Sequence, residues 1–298
     1  MMRHILHVGP QKSRGGISKV MEILVENPPE GWSASILNTT SNGNIFSKLY
    51  KWFAAIREVK KTRVDVVHVH SAADWSFRRK LSLARKARCP VVFHIHSGNF
   101  STQARKAMRP FHCVTLTEGW ANRLRPLIGP SHVISNPVDP KIQPGSQRED
   151  FVLLLGRPDE VKGHEFAYSL HLPHLVVTGK DEAPQHVKAL GWVSEEEKRT
   201  LLTTAKALIV PSQFEGQPLV ILEALAANCP VVASDSIIDL PPTVVKAKQG
   251  DRQSWLDALD HLNTDGLIES VSEHHIESIR KKWGQFYEDI ISSNRSTE

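Results

Sequence analysis

Runs rich in valine and isoleucine recur along this chain, and amphipathic helical segments fill the intervals between them. In the first half the strand-like runs are HILHV, SASILN, VDVVHVH, CPVVFHIH, HCVTLT and SHVIS, and helices read most clearly at ISKVMEILVE, FSKLYKWFAAIREVKK and RRKLSLARKA. In the second half FVLLLG, HLVVTG, ALIVPS and CPVVAS alternate with HEFAYSLH, SEEEKRTLLTTA and LVILEALAA. Such alternation is satisfied by right-handed crossovers that lay parallel strands in one sheet with helices on its faces. SNPVDPKIQPGSQRED carries three prolines, a glycine and no apolar periodicity, so residues 136–150 read as a linker. A chain of 298 residues also suits two domains of about 150 each. The expected fold is α/β: two doubly wound parallel-sheet domains facing one another across a cleft. Residues 1–140 would form the first domain, 141–270 the second, and 271–298 a helical segment crossing back to the first.

With 40% hydrophobic and 23% charged residues, the chain reads as an ordinary soluble globular protein. No apolar run approaches the ~18 residues of a membrane-spanning helix, and MMRHILHVGPQKSRGG reads as a first strand rather than a signal peptide. Cys89, Cys113 and Cys229 are odd in number, widely spaced and set beside apolar runs, as expected of reduced core thiols in a cytoplasmic protein. Charge is unevenly divided. Residues 1–140 hold 21 Lys and Arg against 8 Asp and Glu, net +13, and the remainder is net −8. A basic half suits an anionic surface such as a membrane, an acidic lipid or a nucleic acid, or is a scatter of solvated side chains. Nucleic acid is disfavoured, because the basic half has no recognisable recognition element.

In open parallel sheets, ligands bind beyond the carboxyl ends of strands, so the informative loops are those that leave strands. After the first strand, GPQKSRGGIS offers Gly15 and Gly16 before a helix amino end, without the G-x-G-x-x-G pattern of dinucleotide sites. After FVLLLG, RPDEVKG sets Arg157 and Lys162 at a strand end, where two cations can balance a diphosphate. A surface ion pair with Asp159 or Glu160 is the equal alternative. In PSQFEGQPLVILEALAANCPVVASD, residues 211–235, Pro218 suits the first helical turn and Gly216 permits close approach of a ligand. Amides around Gln217, Leu219 and Val220 can then cradle phosphate or sugar oxygens. Glu215 in the loop and Glu223 in the helix can both face one cleft, and carboxylates accept from sugar hydroxyls.

These residues carry a family resemblance. Residues 211–235 resemble the donor-binding E-x7-E segment of retaining GT-B glycosyltransferases, in particular glycosyltransferase family 4. GRPDEVKG is similar to that family's G-R-x-x-x-x-K-G diphosphate loop, ISNPVD to its interdomain segment, and PVVFHIHSG to its histidine-bearing strand. The resemblance spans residues 5 to 235, with four motifs in the family's order. It implies two Rossmann-like domains, a nucleotide-diphosphate sugar held mainly by the second, and a glycan or lipid-linked acceptor held mainly by the first. It also implies roles: Glu223 on the ribose hydroxyls, Glu215 on the transferred sugar, Arg157 and Lys162 on the diphosphate, His96 near the reacting carbon, and Gly16 beside the diphosphate and acceptor. Gln217 stands where the family usually has an aromatic residue, which puts the choice of sugar in question. Asn228 replaces the usual helix-ending glycine and tolerates the same left-handed cap.

A competing idea arises from His68, His70, His94 and His96, which share strand faces by period two. A metal cluster is disfavoured, because no cysteine or carboxylate joins them and the D-x-D of metal-bound diphosphates is absent. His68 and His94 read instead as strand histidines hydrogen-bonded in or near the core. Transfer is therefore expected to need no metal and no cofactor beyond the donor. Phe46, Leu49, Tyr50, Phe53 and Ile56 recur at helical spacing beside Lys48, Lys51, Lys60 and Lys61, so this helix either packs on its own sheet or meets the inner face of an anionic membrane. Two readings of other classes stay open: a nucleotide-sugar 2-epimerase of the same fold, and a non-catalytic nucleotide-sugar or membrane-binding subunit.

Overall fold

The computed structural model describes residues 2–11, 15–40, 44–72, 75–96 and 103–295. Two compact units divide the chain: one comprises Met1–Pro137 with Ile276–Glu298, the other Val138–His275. The charge asymmetry sharpens on these units. The first holds 25 Lys and Arg against 11 Asp and Glu, net +14; the second holds 12 against 21, net −9.

In the first unit, strands β1 (Arg3–Gly9), β2 (Trp32–Asn38), β3 (Val66–Ser71), β4 (Val91–Ile95), β5 (His112–Thr115) and β6 (His132–Val133) form one sheet of order β2-β1-β3-β4-β5-β6, every described pairing parallel. β3 and β4 are buried along their whole length, valines and phenylalanine alternating with the buried His68, His70 and His94. The connecting helices are α1 (Gly16–Glu26), α2 (Ile45–Lys61), α3 (Trp75–Ala84), the single turn α4 (Arg105–Met108) and α5 (Glu118–Ile128). The sequence does not announce α5, because Pro126 interrupts its last turn; Thr117 caps its start, and Trp120, Leu124 and Ile128 bury one face.

The apolar stripe of α2 is mostly uncovered, with only Ile56 of its five residues half-buried. Val59 and Ala55 are buried, whereas Phe46, Leu49, Tyr50 and Phe53 are 47–77% exposed and make up four of the seven exposed large hydrophobic side chains among the described residues. Such clustering on a surface helix is uncommon, because each exposed ring forgoes the burial that ordinarily stabilises it.

The second unit is built from β7 (Glu149–Leu154), β8 (Leu175–Val177), β9 (Val187–Ala189), β10 (Ala205–Val210), β11 (Val231–Ser234) and β12 (Val245–Ala247), again all parallel, in order β12-β11-β10-β7-β8-β9. α6 (His164–Ser169), α7 (Glu195–Thr204), α8 (Leu219–Ala226) and α9 (Arg252–Asp260) join them. The edge strands β9 and β12 have three residues each, too few for a readable period, and escape the sequence pattern. Helix α8 ends at Asn228 in the left-handed conformation (φ 61°), with Cys229 N–H bonded to Ala224 O and Asn228 N–H to Leu225 O. Asparagine therefore does the work of the glycine usual at this point.

The last helix, α10 (Ile276–Arg295), belongs to the first unit. Trp283 and Tyr287 are 1% exposed against the sheet, and Arg280 Nε donates to Pro28 O at 3.0 Å. Gly284 lies so close to Pro29 that a Cβ would sit 3.1 Å from its ring, so the glycine sets how near the helix approaches.

Candidate active site

In the second unit, the loops that leave β7 and β10 are tied together. Lys162 forms an ion pair with Glu215, the two side chains 21% and 14% exposed. Gln213 N–H donates to Val161 O at 2.9 Å. Gly163 has φ +74° and leaves no room for a side chain, since a Cβ would lie 2.6 Å from the Pro211 carbonyl oxygen. The K-G pair of the G-R-x-x-x-x-K-G loop thus has a tertiary reason: lysine reaches Glu215, and glycine lets the two loops touch. Arg157 stands apart, exposed at the start of the loop, where Nη2 pairs with Asp159 Oδ2 at 2.8 Å. The surface pair weighed from the sequence is the one that forms.

Four residues beyond Glu215, α8 begins at Leu219 after Pro218, with no side-chain cap on its amino end. Gly216, Gln217, Leu219 and Val220 are all half-buried around it. A helix start without a side-chain cap directs the positive end of the helix dipole outwards. Glu223, one turn further, lies deeper than the sequence suggested: it is 1% exposed, and Oε1 accepts from Lys198 Nζ at 2.9 Å. Of the two carboxylates expected to face one cleft, Glu215 is on a loop in an ion pair and Glu223 is buried on α8. Glu223 Oε2 is buried without a hydrogen-bond partner. Lys198 also meets Glu195 at 2.9 Å. Burial works against its charge, but Glu223 and Glu195 outweigh that and raise its pKa.

Lys198 and its neighbour Arg199, whose Nη1 stands 3.5 Å from the buried Asp139 Oδ2, were missed in the sequence. They lie in SEEEKRTLL, which reads as a solvated helix face. The one available signal was spacing, since only one residue in three or four of α7 can turn towards α8.

In the first unit, Gly16 opens α1 and is exposed; Lys12, Ser13 and Arg14 lie outside the described residues, as do residues 97–102 after His96. His96 directly follows β4, and its N–H donates to Ser71 O at 2.9 Å. It belongs to a larger group than the sequence indicated. His7 on β1 is in register with His68 on β3, and His70 with His94 on β4, so five histidines share one face of the sheet. The strand order, invisible in the sequence, is what adds His7. Ring nitrogens pair directly: His7 Nδ1 with His70 Nε2 at 2.8 Å, and His70 Nδ1 with His96 Nε2 at 3.0 Å. His68 Nδ1 meets the Tyr287 hydroxyl at 2.6 Å.

His94 departs from expectation. It is fully buried, but neither ring nitrogen has a hydrogen-bond partner; the rings of His96, His70 and Trp283 lie against it, tilted by 40–59°. Burial keeps all five rings neutral, with His7 and His96 pushed down to about 3; the positive charge of Lys80 adds to the effect on His96. Lys80 is itself buried, donates to His70 O and to Ser76 Oγ, and is held near 7 by desolvation and Arg79.

Two sets, His7/His68/His70 and His70/His94/His96, hold ligand atoms within 4.8 Å of one another. Ring geometry argues against a shared ion in the first: His68 and His70 stack 4.3 Å apart with planes 8° from parallel, and lone pairs lying in parallel planes do not converge. In the second, the nitrogens of His70 and His96 already share a hydrogen bond.

Two family models match the chain: Glycosyltransferase Family 4 over residues 26–142 and Glycosyl transferases group 1 over residues 178–277. No curated protein matches it significantly by sequence. Among solved structures, sucrose-phosphate synthase from Thermosynechococcus elongatus is similar with a TM-score of 0.77 and 16% identity, covering 98% of this chain and 100% of that one. AviGT4, a glycosyltransferase involved in avilamycin A biosynthesis, gives 0.71 and 21%, covering 98% of each chain. Anabaena Alr3699/HepE in complex with UDP gives 0.71 and 12%, covering 96% of this chain and 99% of that one. At these identities the neighbours share the fold. With one family model on each half and two six-stranded parallel sheets beneath them, the chain belongs to the group 1, family 4 glycosyltransferases of GT-B fold.

Proposed function

We propose that this glycosyltransferase moves a hexose from a nucleotide-diphosphate sugar to a glycan, polysaccharide-precursor or lipid-linked acceptor, with retention of configuration and without a metal ion. One observation carries the donor side: Lys162, paired with Glu215, stands on a loop tied to the segment that leads into the uncapped start of α8. A lysine and a helix amino end together favour phosphate oxygens. Buried and lacking a partner, Glu223 Oε2 favours a hydroxyl donor such as ribose supplies. UDP, the nucleotide bound to one structural neighbour, is the first to test.

As the sugar–phosphate bond stretches, negative charge grows on the leaving diphosphate and positive charge on the anomeric carbon. Lys162, Arg157 and the α8 amides stabilise the former, and a donor of that kind is commonly worth about 3 kcal/mol. Glu215 holds the transferred sugar, and His96 contacts it near the reacting carbon. No protein nucleophile is needed when the acceptor attacks from the face the diphosphate leaves.

The acceptor side is proposed to work at the inner, anionic face of a membrane. Support comes from the exposed Phe46, Leu49, Tyr50 and Phe53 on α2, the exposed Lys60 and Lys61 at its end, and the +14 charge of the unit that carries it. No helix among the described residues is long and apolar enough to cross a membrane.

A thermal-shift panel of UDP, GDP and ADP sugars in excess EDTA tests the donor reading. The cognate sugar at about 100 times its Kd should add about 2.7 kcal/mol of stability. No shift with any of the three, or a shift only after a divalent ion is returned, rejects the metal-free donor site.

A further inference from the structure

We propose that His7 and His70 are positioning residues that couple the tautomer of His96 to their own and hold its ring plane through a chain of two ring-to-ring hydrogen bonds. The inference rests on the reading above in one respect, that His96 faces the donor sugar.

The chain runs His7 Nδ1 to His70 Nε2 at 2.8 Å, then His70 Nδ1 to His96 Nε2 at 3.0 Å. A neutral imidazole has one N–H and one lone pair, so each hydrogen bond needs a donor on one ring and an acceptor on the next. Only two proton arrangements satisfy both bonds. Either His96 Nε2–H donates to His70 Nδ1 while His70 Nε2–H donates to His7 Nδ1, or both bonds reverse. Because the nitrogens alternate along the chain, the first arrangement makes all three rings Nε2–H tautomers and the second makes all three Nδ1–H tautomers. The rings are therefore coupled: their tautomers change together, and the character of His96 Nδ1, the nitrogen outside the chain, follows that of His70 and His7.

The surroundings reinforce this. His7 and His70 are at most 1% exposed, so water does not compete for their nitrogens. Lys80 Nζ donates to the carbonyl of His70, anchoring the backbone of the middle ring at the strand end. His94 lies against His96 with ring centroids 4.0 Å apart and planes tilted by 40°, which limits rotation of His96. A sugar oxygen meeting His96 Nδ1 would find a ring already oriented before binding, and its choice of donor or acceptor would be shared by all three rings.

The test combines imidazole 15N NMR of the free protein with kinetics. In the wild type, the signals of His7, His70 and His96 should report the same tautomer populations for all three rings. His70→Phe keeps the ring and removes both hydrogen bonds. It should give His96 tautomer populations different from the wild type and no longer matched to those of His7, and lower kcat by about 10-fold with little change in donor KM. His70→Asn, whose amide reaches the place of Nδ1 and keeps a hydrogen bond to His96 Nε2, should restore part of kcat. His7→Phe acts two rings away and gives a second reading should His70→Phe not fold. Unlike tautomers among the three rings in the wild type, a His96 tautomer unaltered by His70→Phe, or joint displacement of the His70, His94 and His96 signals by one equivalent of Zn2+ would each overturn the chain. Unchanged turnover in His96→Ala, by contrast, rejects the role of His96 at the donor and leaves the tautomer result standing.

Discussion

Lys162 and Glu215 come from loops 53 residues apart in sequence and meet in one partly buried ion pair. A cation proposed to bind diphosphate is thus already occupied by the carboxylate proposed to bind the sugar.

Their pairing makes the two substitutions diverge. Lys162→Ala should weaken binding of both the nucleotide-diphosphate sugar and the free nucleotide diphosphate by about 10-fold, the loss of one charged hydrogen bond. Glu215→Gln should weaken the nucleotide sugar but leave the free diphosphate equal or tighter, because Lys162 is released. Calorimetry that finds both ligands weakened alike by both substitutions would reject separate roles for the pair.

Glu223 joins stability to binding. Glu223→Ala leaves Lys198, 14% exposed, with Glu195 as its remaining ion-pair partner, and should cost about 1–3 kcal/mol as well as donor affinity. Glu223→Gln keeps an acceptor for Lys198 and should fold nearly normally while binding donor more weakly. Thermal melts and donor titrations of the two variants separate the effects. Wild-type donor affinity in Glu223→Gln is the outcome that removes this residue from the site.

The exposed face of α2 predicts attachment to vesicles. Binding should require anionic lipid, fall with salt, and weaken on Phe53→Ser with Tyr50→Ser or on Lys51, Lys60 and Lys61→Glu, since a basic residue near an anionic leaflet contributes about 1 kcal/mol. Co-sedimentation measures it. Equal recovery on neutral and anionic vesicles, or none on either, rejects the membrane surface as partner.

Buried neutral histidines predict acid lability. His7 has a folded-state pKa of about 3 against an ordinary 6.5, so below pH 6.5 the unfolded chain takes up a proton that the folded one refuses. Its contribution is complete above pH 6.5 and is lost as pH falls towards 3, at about 1.4 kcal/mol per pH unit. His68, His70, His94 and His96 shift in the same direction, so the melting temperature should fall steeply from pH 6.5 to 4. His94→Phe removes two unpartnered buried nitrogens; it should not lower the melting temperature at pH 7 and should flatten the acid limb. A destabilised His94→Phe with an unaltered limb contradicts this account.

The alternating pattern was enough for the α/β fold, because a strand buried on both faces must be apolar throughout and a crossover helix must be amphipathic. FVLLLG and ALIVPS announce β7 and β10 for that reason, and LVILEALAAN announces α8 and its left-handed cap. Local chemistry also placed Glu215, Gly216 and Lys162 on loops beyond strand ends. What the sequence could not hold was partnership between distant residues. Lys198 reaches Glu223 across 25 positions and His7 meets His70 across 63, contacts set by helix packing and by the strand order β2-β1-β3-β4. Arg157 and Lys162 look equivalent five residues apart, but one pairs with Asp159 in solvent and the other with Glu215 against a second loop. The apolar stripe of α2 has the same period whether it faces a sheet or water, and only tertiary packing left Phe46, Leu49, Tyr50 and Phe53 uncovered. Periodicity records which face of an element is apolar; what that face meets depends on elements far away in the chain.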